Sequence, residues 1–247
     1  MNLVHFRFYE ELNDFLPQAR RKTEFAYTVS ENQTVKDAIE ALGIPHTEVD
    51  LILVNGNSVD FSYRLVNSDR ISVYPVFESL DITGITHLRP EPLRDIKFIL
   101  DVHLGRLAKY LRLCGFDTLF SAYFDDSEII HIASVEKRII LTRDKGILKN
   151  KAVTHGYWIK SQKHEEQLRE VFVRFDLKDK LSLFTRCIRC NTIIEDVSKE
   201  KIADRLKSNT SRYFSKFGRC PGCDRIYWNG SHYDNMKIII ERITSSY

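Results

Sequence analysis

The stretch Ile96-Lys97-Phe98-Ile99-Leu100-Asp101-Val102-His103-Leu104-Gly105-Arg106-Leu107-Ala108-Lys109-Tyr110-Leu111-Arg112 decides how the second half of this chain folds. Its first residues form a short, mostly apolar run that ends at a carboxylate, Asp101. Apolar residues then recur at 104, 107, 108 and 111, the one-sided spacing of a helix, while Arg106, Lys109 and Arg112 fall mostly off that face. The switch of periodicity predicts a strand followed by a helix. The pattern repeats downstream. Residues 115–120 read as a turn and a short strand, and Asp126 opens a second helix. Residues 138–142 form another apolar strand that runs to Asp144, and a helix over 165–175 carries Leu168, Phe172 and Phe175 on its apolar side. Strands alternating with helices predict a parallel-sheet α/β domain over 97–183.

In such a sheet, ligands sit outside the carboxyl ends of the strands. Asp101 and Asp144 both fall at such ends, and Asp126, with Asp125 or Glu128 beside it, begins the intervening helix. Clustered carboxylates repel unless cations hold them, and Mg²⁺ or Mn²⁺ takes oxygen ligands and binds phosphate oxygens as well. Arg106, Lys109, Arg143 and Lys145 surround these acids in the sequence and would draw an anionic substrate to them. The bland alternative is that each Asp caps the helix after its strand and each Arg is solvated.

The region upstream reads differently. Val4 to Phe8 alternates as a half-buried strand, and residues 25–29 give a second one. Residues 34–43 read as a helix capped by Thr34 and ended by Gly43. Residues 51–56 run as a strand into an Asn-Gly turn, and residues 69–75 form the last strand. On "LVNG" (53–56), "LVNSDRISVYPVF" (65–77) and the preceding helix, residues 1–80 resemble a ubiquitin-like β-grasp domain of the thiamine/molybdopterin sulfur-carrier type. A working carrier of that type ends in a free Gly-Gly. Here Phe77-Glu78-Ser79-Leu80-Asp81 follows and the chain runs on, so a binding or packing role is expected. Residues 81–96, with Gly84, Pro90 and Pro92 and no periodicity, read as a linker.

Four of the five cysteines form two pairs, Cys187-Ile188-Arg189-Cys190 and Cys220-Pro221-Gly222-Cys223, with 29 residues between them. Each short loop sets two sulfurs on one side of an ion, and two loops close a tetrahedron, so a structural Zn²⁺ held by Cys187, Cys190, Cys220 and Cys223 is expected. A redox centre needs one pair rather than two. Cys114 stands apart at an apolar helix end and reads as packing. Between and after the pairs, basic residues interleave with aromatics, which makes Arg189, Lys216 and Arg219 candidate nucleic-acid contacts alongside Arg106 and Lys109. Tyr227 and Trp228 suit the small core of the ribbon equally well.

Charge sharpens the division. The whole chain of 247 residues carries only +3. Residues 1–80 hold 7 basic and 12 acidic residues, residues 81–183 hold 18 and 15, and residues 184–247 hold 12 and 7. An acidic front and a basic rear favour an anionic partner for the rear and a protein partner, or an intramolecular contact, for the front. Disordered and collagenous classes are excluded by composition, with hydrophobic residues at 43%. No apolar run approaches the ~18 residues of a membrane span, and the N-terminus lacks a signal-peptide layout, so a cytoplasmic protein without membrane contact is expected.

Three features together carry a further resemblance: "FILDVHLGRLAKYLRLCGFDT" (98–118), "DDSEIIHIASVEKRIILTRDKGIL" (125–148) and the paired cysteines. They resemble the Mut-seven C-terminal RNase family over roughly residues 96–235. The resemblance implies a PIN-like α/β/α nuclease fold with an added zinc ribbon over 184–247, and a β-grasp domain ahead of it fits that family. It also implies a metal-dependent endonuclease for single-stranded RNA in which Asp101, the Asp of "DDSE" and Asp144 hold Mg²⁺ or Mn²⁺. Of the doublet, Asp126 is the choice because it leads directly into the helix. Arg143 or Lys145 would steady phosphate charge. Many PIN domains carry a fourth acid soon after the third; Lys145 and Gly146 stand there instead, which argues against four-acid coordination. The rival readings are a non-catalytic RNA-binding ribbon module and an adaptor whose acidic β-grasp domain docks a protein partner.

Overall fold

Alternation builds the first sheet. In a computed structural model that describes residues 2–75, 88 and 96–244 (His232 and Thr244 by their backbones only), β1 (Asn2–Phe8) buries Val4, Phe6 and Phe8 and turns the residues between them outward. It is followed by β2 (Phe25–Val29), α1 (Val35–Ala41), β3 (Val49–Val54), β4 (Asn57–Ser58) and β5 (Arg70–Pro75). These strands form one sheet in the order β2-β1-β5-β3-β4. The pair β1 and β5 runs parallel and the other neighbours antiparallel. A parallel pair cannot be closed by a tight hairpin; here α1 lies in the intervening chain and buries Val35, Ala38 and Ile39 in the same core as Phe6, Ile52, Ile71 and Val73.

Local chemistry fixes the ends of these elements. Thr34 and Asp37 form a reciprocal capping box at the start of α1. Gly43, at φ +98°, turns the chain away at its end. Asn55 and Gly56, at φ 51° and 87°, make the tight turn between β3 and β4. The linker stretch 81–96 lies outside the described residues apart from Leu88 and Ile96.

The remaining chain supplies β6 (Lys97–Leu100), α2 (Gly105–Leu113), β7 (Asp117–Phe120), α3 (Asp126–Glu136), β8 (Ile139–Thr142), α4 (Lys145–Leu148), β9 (Gly156–Trp158) and α5 (His164–Arg174). Strands β6 and β7 pair in parallel with α2 crossing between them, and β8 and β9 pair in parallel across α4. All four residues of β8 are buried, as a strand covered on both faces requires. Gly115, at φ +94°, makes the turn from α2 to β7; a Cβ there would meet the Ser182 carbonyl oxygen at 2.3 Å. The rear of the chain adds a three-stranded antiparallel sheet of β10 (Glu195–Val197), β11 (Phe217–Arg219) and β12 (Ile226–Tyr227). Helices α6 (Ser208–Tyr213) and α7 (Ser231–Thr244) complete it.

By contacts the chain falls into two compact units. One comprises Met1–Asp95 and Ile130–Trp158, the other Ile96–Ile129 and Ile159–Tyr247. The β-grasp domain is therefore packed against the segment that carries β8, α4 and β9. His46 Nε2 lies 2.8 Å from the Val153 carbonyl and its Nδ1 lies 2.6 Å from Glu40. The buried Glu48 carboxylate accepts from Trp158 N at 2.7 Å, and Lys149 donates to the Glu40 carbonyl. Phe15 and Trp158 meet at a centroid distance of 5.0 Å. No helix among the described residues is long and apolar enough to cross a membrane.

Candidate functional site

The cysteine pairs form two equivalent turns. Cys187 N donates to Thr192 O and Asn191 N donates back to Cys187 O; Cys220 N donates to Arg225 O and Asp224 N donates back to Cys220 O. Each turn closes through a left-handed residue, Asn191 at φ 71° and Asp224 at φ 60°. Asn and Asp tolerate that conformation better than most side chains. All four sulfurs lie within 4.8 Å of one another, with 3.5 Å between Cys187 and Cys223 and 3.3 Å between Cys190 and Cys220. Those separations far exceed a disulfide bond of roughly 2.05 Å. They approach the edge of about 3.8 Å that four Zn–S bonds of roughly 2.3 Å would give. Four sulfur donors and no open position fit a closed structural zinc site. Burial alone would raise the Cys190 thiol; hydrogen bonds from the Thr192 hydroxyl, 3.4 Å away, and the Thr192 backbone, with those of Cys220 and Cys187, together outweigh this and hold the thiol down to about 6. The Tyr227 hydroxyl lies 3.0 Å from Cys187, and burial with that neighbour pushes the tyrosine upward.

This cysteine group is tied to the strand-helix pair in its own unit. Arg112, on α2, is buried rather than solvated, contrary to the expectation from its position off the apolar face. Its guanidinium donates to the Thr118, Ile188 and Arg189 carbonyls at 2.8, 3.2 and 2.9 Å. Asn191 accepts from Thr118 N and donates to Asp117, and Arg186 donates to the Gly115 carbonyl. The first cysteine turn is thus held to the α2–β7 corner. Cys114, also at this corner, is fully buried, and burial pushes its thiol upward, which makes it inert packing.

The acids occupy strand and helix ends. Asp101 follows β6 directly, is 6% exposed, and accepts from His103 N at 2.8 Å. Asp144 lies two residues beyond β8, is exposed, and accepts from Gly146 N at 2.7 Å as the cap of α4. At the start of α3 the cap is Asp125: its carboxylate accepts from the Ser127 hydroxyl at 2.6 Å and Glu128 N at 2.8 Å. Those hydrogen bonds hold its carboxyl below the usual range. Asp126 is exposed, with no hydrogen bond or ion pair to its carboxylate among the described residues. Asp101 and Asp126 belong to one compact unit and Asp144 to the other. Among the described residues, neither unit brings three carboxylates as close together as it brings the four sulfurs.

The basic candidates divide by partner. The Lys145 ammonium lies 3.8 Å from the Trp158 ring and 4.7 Å from the Phe15 ring. Arg143 is exposed, and its carbonyl accepts from Trp158 Nε1. Arg219 pairs with Asp224 at 2.5 Å, which Arg205 also holds, so Arg219 is committed within the ribbon. Lys216 is exposed beside an apolar cavity of about 560 Å³ in the ribbon. Arg106, Lys109 and Arg189 line a different cavity of about 660 Å³, together with Arg225, which the sequence places in the basic-aromatic stretch after the second pair but not among the candidate contacts. The signal was present: Arg225 stands two residues after Cys223, as Arg189 stands between Cys187 and Cys190.

A β-grasp sheet, two parallel strand pairs with an acid after one strand of each, and a four-cysteine ribbon define an α/β chain with a ubiquitin-like domain in front. Residues 96–240 match the Mut7-C RNAse domain and residues 1–81 match Mut7-C ubiquitin. The chain belongs to the Mut7-C RNAse domain family. No curated protein matches it. Two crystal structures of small archaeal modifier protein 1 from Haloferax volcanii are similar to it, each at 16% identity and a TM-score of 0.26. They cover 31% and 32% of this chain and 100% of their own.

Proposed function

We propose that this chain hydrolyses phosphodiester bonds of single-stranded RNA, endonucleolytically, with Asp101, Asp126 and Asp144 as the ligands of one or two Mg²⁺ or Mn²⁺ ions. The observation that carries the reading is the placement of Asp101 and Asp144 at the carboxyl ends of parallel strands, in a chain of an RNAse-domain family. A divalent cation held there would lower the pKa of a water and offset charge on the scissile phosphate. The chain's own contribution is orientation. Asp101 is aimed by His103 N and Asp144 by Gly146 N. Asp126 is exposed with no hydrogen bond to its carboxylate among the described residues, and it is taken as the second ligand. Arg143 neutralises phosphate charge, as does Lys145 from a side chain steadied by Trp158 and Phe15. The ribbon, with zinc on its four cysteines, is a structural support rather than a reaction centre.

The β-grasp domain is assigned an internal role in this reading. His46, Glu48 and Phe15 hold the segment on which Asp144 and Lys145 sit. The test of the whole proposal is cleavage of a labelled single-stranded RNA with Mn²⁺. Internal cuts by the native chain and their loss in Asp101→Asn are expected; equal cleavage by both proteins would sink the acid assignment.

A further inference from the structure

Helix α2 has two faces. Leu104, Leu107, Ala108 and Leu111 are buried in the core. Arg106, Lys109, Tyr110 and Leu113, spaced i, i+3, i+4 and i+7, line the cavity of about 660 Å³. The cysteine turns supply the opposite wall, Arg189 from the first and Arg225 from beyond the second. No Asp or Glu lines the cavity among the described residues, and Arg106, Lys109, Arg189 and Arg225 have no ion-pair partner there. Glu165, paired with Arg242, is close enough to act on Tyr110, but it does not line the cavity, and four converging basic side chains create a positive local potential there. The remaining wall is flat and apolar. Tyr110 stacks on His164 at a centroid distance of 5.4 Å and an interplanar angle of 17°, and Phe120 and Met236 lie beside them. The volume falls in the roughly 300–1,000 Å³ range of ligand pockets.

We infer that this cavity binds an unpaired RNA nucleotide with its flanking phosphates, on the same strand that the acids cleave. Phosphates lie on Arg106, Lys109, Arg189 and Arg225, and the base lies against the Tyr110 face. A duplex buries its bases in the stack and cannot offer one to a concave aromatic wall, so the site selects single strands. Arg106 follows Asp101 by five residues of continuous chain, which places the subsite about one to two helical turns from the first acid. The two arginines from the ribbon give zinc a task in substrate binding, because the cysteine turns set where those side chains start. The assignment rests on the ribonuclease reading for its substrate, and its test separates the two.

The test measures fluorescence anisotropy of a labelled eight-nucleotide single-stranded RNA with the full chain carrying Asp101→Asn, which cannot cleave. Adding Arg106→Glu and Arg225→Glu should weaken binding on the order of 10- to 100-fold and reduce the salt slope by about 1.4, two phosphate contacts at roughly 0.7 each. Tyr110→Ala should weaken it about tenfold and Tyr110→Phe should restore it. The charge-matched control Lys180→Glu with Lys201→Glu, exposed residues away from the cavity, should change binding less than about threefold. Zinc content equal to that of the parent certifies a folded ribbon in every variant. Equal losses in the control and cavity variants, or duplex RNA bound as tightly as the single strand, would overturn the subsite. If the native chain fails to cleave with Mn²⁺ while the cavity variants lose binding, the nuclease reading falls and the subsite stands. If the native chain cleaves and the cavity variants bind as the parent does, the reverse holds.

Discussion

At the ribbon, four sulfurs lie within 4.8 Å of one another, and each pair is set by a turn that closes on itself within six residues. At the strand ends, Asp101 and Asp144 each commit an oxygen to a local backbone N–H, and the segment that carries Asp144 is held by His46 and Glu48 from far along the chain. A soft, closed metal site can be written into two local loops. A hard-cation site built on strand ends inherits its geometry from the packing of the domain. The first resists damage elsewhere in the molecule; the second depends on it.

The largest effect expected from breaking this contrast lies at the ribbon. Cys220→Ala should abolish stoichiometric zinc binding, because structural zinc contributes about 10–16 kcal/mol in small zinc domains. Zinc quantification on the purified protein checks it, and the β-grasp domain should stay folded in the variant. Next comes the tie between ribbon and nuclease domain. Arg112→Ala removes a buried guanidinium and leaves the Thr118, Ile188 and Arg189 carbonyls without their donor, at a cost of about 3 kcal/mol or more. Arg112→Lys should recover little of this, since one ammonium cannot match the planar fork. Denaturant melts of both variants decide the point.

A smaller effect separates the two regions most cleanly. Glu48→Ala deprives Trp158 N of its acceptor and should cost about 1–3 kcal/mol, with zinc content unchanged. A fall in zinc content would break the contrast. The smallest effect falls on α3. Asp125→Ala removes the cap and should lower the melting temperature by about 2–4 °C. The Asp125 carboxyl is held below its ordinary value when folded, so its contribution is present above the usual carboxylate range and is lost as pH falls through the folded value. The difference between the native chain and Asp125→Ala should therefore vanish in acid.

Much of the fold was legible because its signals are local. The alternation of Val4, Phe6 and Phe8 gave β1, Thr34 and Gly43 bounded α1, and the Asn-Gly pair gave the turn after β3. The cysteine group was legible for the same reason. What stayed hidden was contact at long range. Arg112 reads as solvated on its helix and is buried because carbonyls 76 and 77 residues away meet it. His46 and Glu48 look like ordinary polar residues before a strand; their partners lie 107 and 110 residues downstream. The doublet Asp125-Asp126 was half legible. Asp125 stands three residues before Glu128, the spacing of a capping residue, and that would have marked it as the cap.

The central claim is that the acids, rather than the cysteines, carry the chemistry. The direct measurement is the Mn²⁺-dependent rate of single-stranded RNA cleavage by four zinc-loaded proteins: the native chain, Asp101→Asn, Asp126→Asn and Asp125→Asn. Asp101→Asn and Asp126→Asn should fall at least about 100-fold, while Asp125→Asn, whose side chain still caps a helix, should stay within about threefold of the native rate. A native rate retained by Asp101→Asn, or no cleavage by the native chain, would contradict the account.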